Sequence, residues 1–367
     1  MTGVALAGRR ADWAGRAAAA WAALYGTVAL VWTVTGSGYP FGPGDGERET
    51  SMLRGIPASV GAPVFAAVLL ATAVTALAMT GRPAVRGGAR TGILAFGWTV
   101  VAALLVVVPD VRLLTRAGYA PMLILGAPFG WPPVDYSEVV TWPVVNMAFS
   151  VLGGLLLARA LLVWQFRGAG LCERCGRGDT APQWISAEGA ARWGRWAVYL
   201  AAAVPALYAV SRFGWAAAVL LGLSDAHQEE FDGDGVVWAG AGLGAFALVG
   251  AMLTLGLVQR WGEVFPRWMI GFAGRPVPVK LAVVPATIVA VFVTSASLGL
   301  ATAGAFAKLA GDSAVLVAPM ALWPAWGPAL AAATLAYYLR RRPACPACTP
   351  DPAIPSADPA ASASARP

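Results

Sequence analysis

The sequence predicts an all-α, polytopic transmembrane bundle of about eight spans. Three observations carry that prediction. Only 12% of the 367 residues are charged and 58% are hydrophobic, with a mean hydropathy of +0.65. Soluble domains carry roughly a quarter charged residues, so this is more apolar surface than a water-soluble core can use. The apolar residues fall into eight runs of the length, about 20 residues, that crosses about 30 Å of hydrocarbon. Basic residues gather in alternate loops between those runs. Helices are the form such runs take, because an isolated strand in lipid leaves its backbone groups unpaired.

In chain order, the first run (17–36) follows Arg9, Arg10 and Arg16. The flanks of Arg9-Arg10 (Gly8 and Ala11-Asp12-Trp13) do not fit a twin-arginine export signal, and no small-residue cleavage site follows Val34, so an uncleaved span is expected. The second (60–80) and third (91–109) are separated by Arg82, Arg86 and Arg90 with no acid. Residues 120–133 are apolar but too short to span, which places them at the outer interface or in a re-entrant turn. The fourth run (142–165) opens on Trp142-Pro143. The fifth (196–222) is long enough to tilt. The sixth (236–258) carries Gly240-x-x-x-Gly244 and Gly250, a close-packing helix face. The seventh and eighth occupy 280–303 and 316–339.

Orientation follows from the loops. The 166–195 connector holds Arg167, Arg174, Arg177, Arg192 and Arg195; the 259–280 loop holds Arg260, Arg267, Arg275 and Lys280; the last run ends at Arg340, Arg341 and Arg342. The intervening loops are poor in base or acidic, above all Asp225, Glu229, Glu230, Asp232 and Asp234. By the positive-inside rule both termini are cytoplasmic and the protein sits in a bacterial cell membrane. The same distribution accounts for the net charge of +7. No basic stripe or RNA-binding signature accompanies it, so the partner expected is the lipid bilayer and not a nucleic acid.

Matched punctuation predicts a parallel tandem repeat of four helices. Phe65 and Phe246 share an offset with Trp142-Pro143 and Trp323-Pro324, whereas Ala120-Pro121-Met122 and Ala318-Pro319-Met320 are further apart, which implies an insertion in the first copy. Each copy then closes on a Cys-x-x-Cys. The expected organisation is a first half (1–165), a connector (166–195), a second half (196–342) and a disordered Pro/Ala/Ser tail (343–367).

The four cysteines are the chemically marked residues. Cys172-Glu-Arg-Cys175-Gly176 has the form of a zinc knuckle, in which the two-residue spacing turns both thiolates to one metal. Cys345-Pro-Ala-Cys348 supplies a second pair, so the two could share one zinc ion and tie the halves together. A reducing cytosol disfavours disulfides there. Thiol redox chemistry with quinone is a third option, but the membrane enzymes that perform it present their cysteines on the oxidising face. His227 is the single histidine and lies in a loop, which excludes a bis-His haem. No protease, proton-pump or hydrolase pattern is present.

Charges within the spans are few. Arg159 lies near the inner end of the fourth and can snorkel. Arg212 lies deep in the fifth, beyond Pro205, and is the candidate for binding an anionic small molecule. Glu230-x-Asp232-x-Asp234-Gly235 has the opening spacing of a calcium loop, but Ala241 stands where the bidentate Glu is due, which leaves a solvated acidic connector. Trp261, Phe265 and Trp268, beside Glu263 and Arg267, read as interfacial anchors.

The stretches Arg260-Trp-Gly-Glu-Val-Phe-Pro-Arg-Trp268 and Leu171-Cys-Glu-Arg-Cys-Gly-Arg177 resemble segments of uncharacterised multi-pass membrane proteins of high-GC Gram-positive (actinobacterial) type. The resemblance implies architecture and origin and brings no activity with it. The functional expectation is small-molecule transport or sensing at the interface of the two repeats. The alternative is a non-catalytic membrane scaffold with a cytoplasmic cysteine metal or partner site.

Overall fold

The computed structural model describes residues 13–81, 85–130, 135–220, 234–304 and 318–343, together with Cys345 and Cys348. Among these residues the fold is all-helical, with one isolated antiparallel bridge between Val264 and Pro276. The long helices are α1 (Trp13–Thr35), α2 (Ala58–Thr80), α3 (Gly88–Ala102, continued as a π turn, Ala103–Val107), α4 (Val111–Gly126) and α5 (Trp142–Gly168). They are followed by α6 (Ala187–Leu220), α7 (Asp234–Gly256), α8 (Val279–Thr302) and α9 (Trp323–Arg341). Six of them, α1, α2, α3 with its π turn, α5, α6 and α8, are long and apolar enough to cross a membrane. Every expected run coincides with a helix. In α7 the apolar stretch is shorter (Gly240–Gly256), and α9 ends on Arg340 and Arg341.

The outer surface is what a bilayer requires. Val34, Val210, Trp196 and Phe246 are each at least 66% exposed on helix faces that a soluble protein would have to bury. Such a surface, on six apolar helices, is that of a multi-pass membrane protein.

Lipid gives little hydrophobic drive for helices to associate, so close contact must come from small residues. Helix α1 presents Ala14, Ala18, Ala22 and Ala29 to Ala62, Ala66, Ala73 and Ala76 of α2, all buried. Larger rings fill the gap toward α5. Trp21 Nε1 donates to the Phe149 carbonyl at 3.1 Å, and Tyr25 packs edge-on to Phe149 while its hydroxyl meets Asn146 Oδ1 at 3.1 Å. In the second half, Tyr337 and Ala333 of α9 pack with Val198 and Ala201 of α6 and Ala290 of α8. Thus α1 packs on α2 and α5, and α6 packs on α7 and α9. Both α5 and α9 open on Trp-Pro with proline in the first turn, where its missing N–H costs nothing.

The halves meet mainly through α8. Phe292 enters a cluster with Phe41, Leu53, Val108, Leu113 and Met147 of the first half. Ser295 Oγ donates to the Pro109 carbonyl, Arg54 Nη2 donates to the Thr302 carbonyl at 2.7 Å, and Gly299 lies against the Thr50 carbonyl.

Residues 120–126, expected at an interface or in a re-entrant turn, are the second half of α4. That helix starts at Val111, is capped by the Asp110 side chain accepting from Arg112 N, and packs against α8. The tail's Pro343, Cys345 and Cys348 pack on the connector. Residues 349–367 and the loop around His227 and Glu230 lie outside the described residues.

Candidate metal centre

The ends of α2, α5, α7 and α9 and the starts of α1, α3, α6 and α8 lie at one end of the bundle, and there the two Cys-x-x-Cys segments meet. The first follows directly from the end of α5. The backbone reverses through Gly176, whose φ of +70° favours a residue without a side chain, and closes with Cys172 N to Arg177 O (2.8 Å) and Gly176 N to Cys172 O (2.7 Å). The Phe166 ring fills the space that a Cβ on Gly176 would need. The knuckle is pinned to α5 by Arg167, whose Nε donates to Glu173 Oε1 at 2.7 Å. Arg159, expected to snorkel, instead directs Nη2 to the Glu173 and Arg174 carbonyls at 3.4 and 3.5 Å.

The second segment is brought in by the last turn of α9. Arg177 Nη1 and Nη2 donate to the carbonyls of Pro343 and Arg342, both at 3.0 Å. Arg342 returns the contact, donating to the Cys175 carbonyl at 2.8 Å and to the Ile185 carbonyl at 3.0 Å. These reciprocal bonds satisfy carbonyls that the helix end leaves free. They also hold both pairs of thiols face to face.

The four sulfurs lie within 4.8 Å of one another. Across the halves Cys172 Sγ is 3.9 Å from Cys345 Sγ, and Cys175 Sγ is 3.4 Å from Cys348 Sγ. A tetrahedral metal with four sulfur legs of about 2.3 Å has ligand-to-ligand edges of about 3.8 Å. The cluster has that size and donor set, and none of the four cysteines is in a disulfide. Cys345 is buried, Cys172 and Cys175 are half-buried and Cys348 is exposed.

Burial pushes the Cys172 thiol up, but the backbone N–H groups of Cys175 and Arg174 and the adjacent thiols outweigh it and bring it down to about 7. Cys175 is raised, first by burial. Cys348 is raised further, chiefly because it shares hydrogen bonds with Cys172 and then by burial. A Cys172 thiolate is accessible near neutrality, and the charge it carries opposes ionisation of Cys175 and Cys348.

Comparison with protein families, with curated proteins and with solved structures finds no match. The site therefore stands on its own geometry.

The other marked residues fall elsewhere. Arg212 lies on α6, facing α7 and not the interface between the halves. Its guanidinium lies over the Tyr208 ring at 4.9 Å, its Cβ lies where Gly244 leaves room, and its Nε has no hydrogen-bond partner. Gly240 makes way for Trp215, so the Gly-x-x-x-Gly face does pack closely, whereas Gly250 lines a cavity. Trp261 donates to Gln259 Oε1 at 2.7 Å and also lines that cavity with Phe265 and Trp268.

A buried charge network lies at the opposite end of the molecule. Arg112 holds Asp45 and Asp110 at 2.7 Å each, with all three residues at least 93% buried. The sequence signal was Asp110-x-Arg112 directly after Pro109, acid and base two residues apart beside an apolar run. Nothing in the sequence marked Asp45 as their partner.

Proposed function

We propose that the protein is a non-catalytic scaffold of the cell membrane, with eight spans and both termini cytoplasmic, whose two four-helix halves are clasped on the cytoplasmic face by one zinc ion. Cys172, Cys175, Cys345 and Cys348 are the ligands. The observation that carries the reading is the convergence of four thiols, from segments separated by the whole second half, to within 4.8 Å. A closed four-thiolate site leaves no open position for substrate, so its role is structural. Among the described residues, Phe292 and Ser295 fill the contact between α8 and the first half, which supports a structural role over a solute path there. The parallel repeat is supported by the shared helix neighbours and by the Trp-Pro starts of α5 and α9.

A second reading, transport or sensing of an anionic small molecule, rests on the partnerless Arg212 Nε deep in α6. It predicts that Arg212→Gln abolishes anion-dependent stabilisation of the purified protein.

The test of the scaffold reading is metal content. Freshly reduced protein should hold about one zinc per chain, and Cys172→Ser and Cys345→Ser should each lose it, because removing one ligand opens the shell. Zinc retained by Cys345→Ser would sink the shared site and leave a local knuckle at Cys172 and Cys175.

A further inference from the structure

From a cavity in the second half, we propose that the protein binds one acyl chain of an anionic phospholipid, drawn from the leaflet at the cysteine end of the bundle. The cavity, of about 480 Å³, lies between the end of α7 and the first half of α8, with α9 behind it. That volume falls within the roughly 300–1,000 Å³ of small-molecule sites. Its walls are hydrocarbon: Leu253 of α7 and Leu257 just beyond its end, Leu281 and Ala286 of α8, and the rings of Trp261 and Trp268 at the mouth. Leu253, Leu281 and Trp268 are each at least 58% exposed, so the cavity opens sideways toward lipid.

Water is a poor occupant. The Thr254 hydroxyl on the wall is already bonded to the Gly250 carbonyl at 2.8 Å, and Trp326 Nε1 is a buried donor without a partner. An ordered water needs two to four polar partners, which this wall does not offer. A flexible hydrocarbon chain drawn from the leaflet fills such a slot through dispersion contacts and needs no polar partner.

The mouth specifies the charge. A small hairpin, closed by Phe265 N to Arg275 O and Gly274 N to Phe265 O at 3.0 Å each, forms its lip and exposes Trp268, Ile270 and Phe272. Arg260, Arg267, Arg275 and Lys280 are each next to a lining residue or one removed from it along the chain, and all are exposed. None of the four has an ion-pair partner among the described residues. The one acid of the lip, Glu263, is held by Arg340 at 3.3 Å. Uncompensated cations around an apolar slot at a membrane border match an anionic headgroup above a single inserted chain.

The experiment uses the full-length protein in mild detergent. Native mass spectrometry counts retained lipid, and thermal unfolding is followed with dioleoyl phosphatidylglycerol, dioleoyl phosphatidylcholine or inorganic phosphate added. Phosphatidylglycerol should be retained at one per chain and raise the midpoint, phosphatidylcholine should do so more weakly, and phosphate alone should do nothing. Leu253→Trp and Ala286→Phe, which fill the slot from opposite walls, should each lose the retained lipid; two variants guard against one that misfolds. Arg275→Gln combined with Lys280→Gln should erase the preference for phosphatidylglycerol while retaining a chain. Equal retention of both lipids by the native protein, a midpoint shift with phosphate alone, or retention unchanged in folded slot-filling variants would each overturn the proposal. Cys345→Ser should leave lipid retention intact, so this site and the zinc clasp fail separately.

Discussion

The thiol of Cys172 and the guanidinium of Arg112 show how differently buried charge is handled at the two ends of this molecule. With Cys172 lowered to about 7 and Cys175 and Cys348 raised, loading a metal at neutral pH must expel protons, chiefly from the latter two. Protons and zinc compete, so zinc affinity should rise steadily with pH and weaken as pH falls. Competition with a chromogenic chelator between pH 6 and 8 checks this, and an affinity flat across that range contradicts a thiolate site. At the other end the charge is already matched: Arg112 faces Asp45 and Asp110. Arg112→Leu strands two buried carboxylates and should cost about 3–5 kcal/mol, the range for breaking a buried pair. Adding Asp45→Asn and Asp110→Asn should recover most of it, since replacing the whole network removes the stranded charge. Thermal unfolding in detergent measures both, and no recovery in the triple variant would place the loss in packing.

At the scale of the helices, glycine separates contact from propensity. Gly153 of α5 faces the Trp21 ring so closely that any Cβ must displace it, whereas nothing lies within 4 Å of the Cβ position of Gly118 on α4. Gly153→Ala should destabilise by about 1–3 kcal/mol, as overpacking does. Gly118→Ala should stabilise by about 0.5–1 kcal/mol, because alanine holds a helix better. Opposite signs in one thermal assay are the expected outcome; the same sign for both would mean that α1 and α5 are not packed this way. The runs that became helices were legible because twenty consecutive apolar residues have one solution in lipid. Helix α4 was not, because Arg112, Thr115 and Arg116 interrupt its apolar residues and its partner, α8, is more than 150 residues away. The Cys-x-x-Cys pairs were legible as candidate donor pairs by spacing alone. Their meeting depended on Arg177 and Arg342 reaching across the chain to backbone carbonyls, and backbone carbonyls carry no sequence signature. Arg159 looked like a snorkelling residue for the same reason, since the carbonyls it meets belong to the knuckle.

For the whole molecule, orientation and clasp make one joint prediction about thiol access. All four native cysteines lie at a single end of the bundle, and the proposed orientation, read from the arginine-rich loops, puts that end in the cytoplasm. An impermeant maleimide applied to intact cells should therefore label none of them. Gly46→Cys, exposed in the loop between α1 and α2 with nothing within 4 Å of its Cβ position, should be labelled at once from outside. Permeabilised cells add the second half of the argument. Cys348 is exposed, so steric access alone would let it react immediately. A thiolate held by zinc is a weaker nucleophile, so labelling should be slow until a chelator is added and should then become rapid at the exposed and half-buried positions. Labelling of Cys348 in intact cells would reverse the orientation. Labelling that is equally fast with and without chelator would leave the orientation standing and remove the metal from the site.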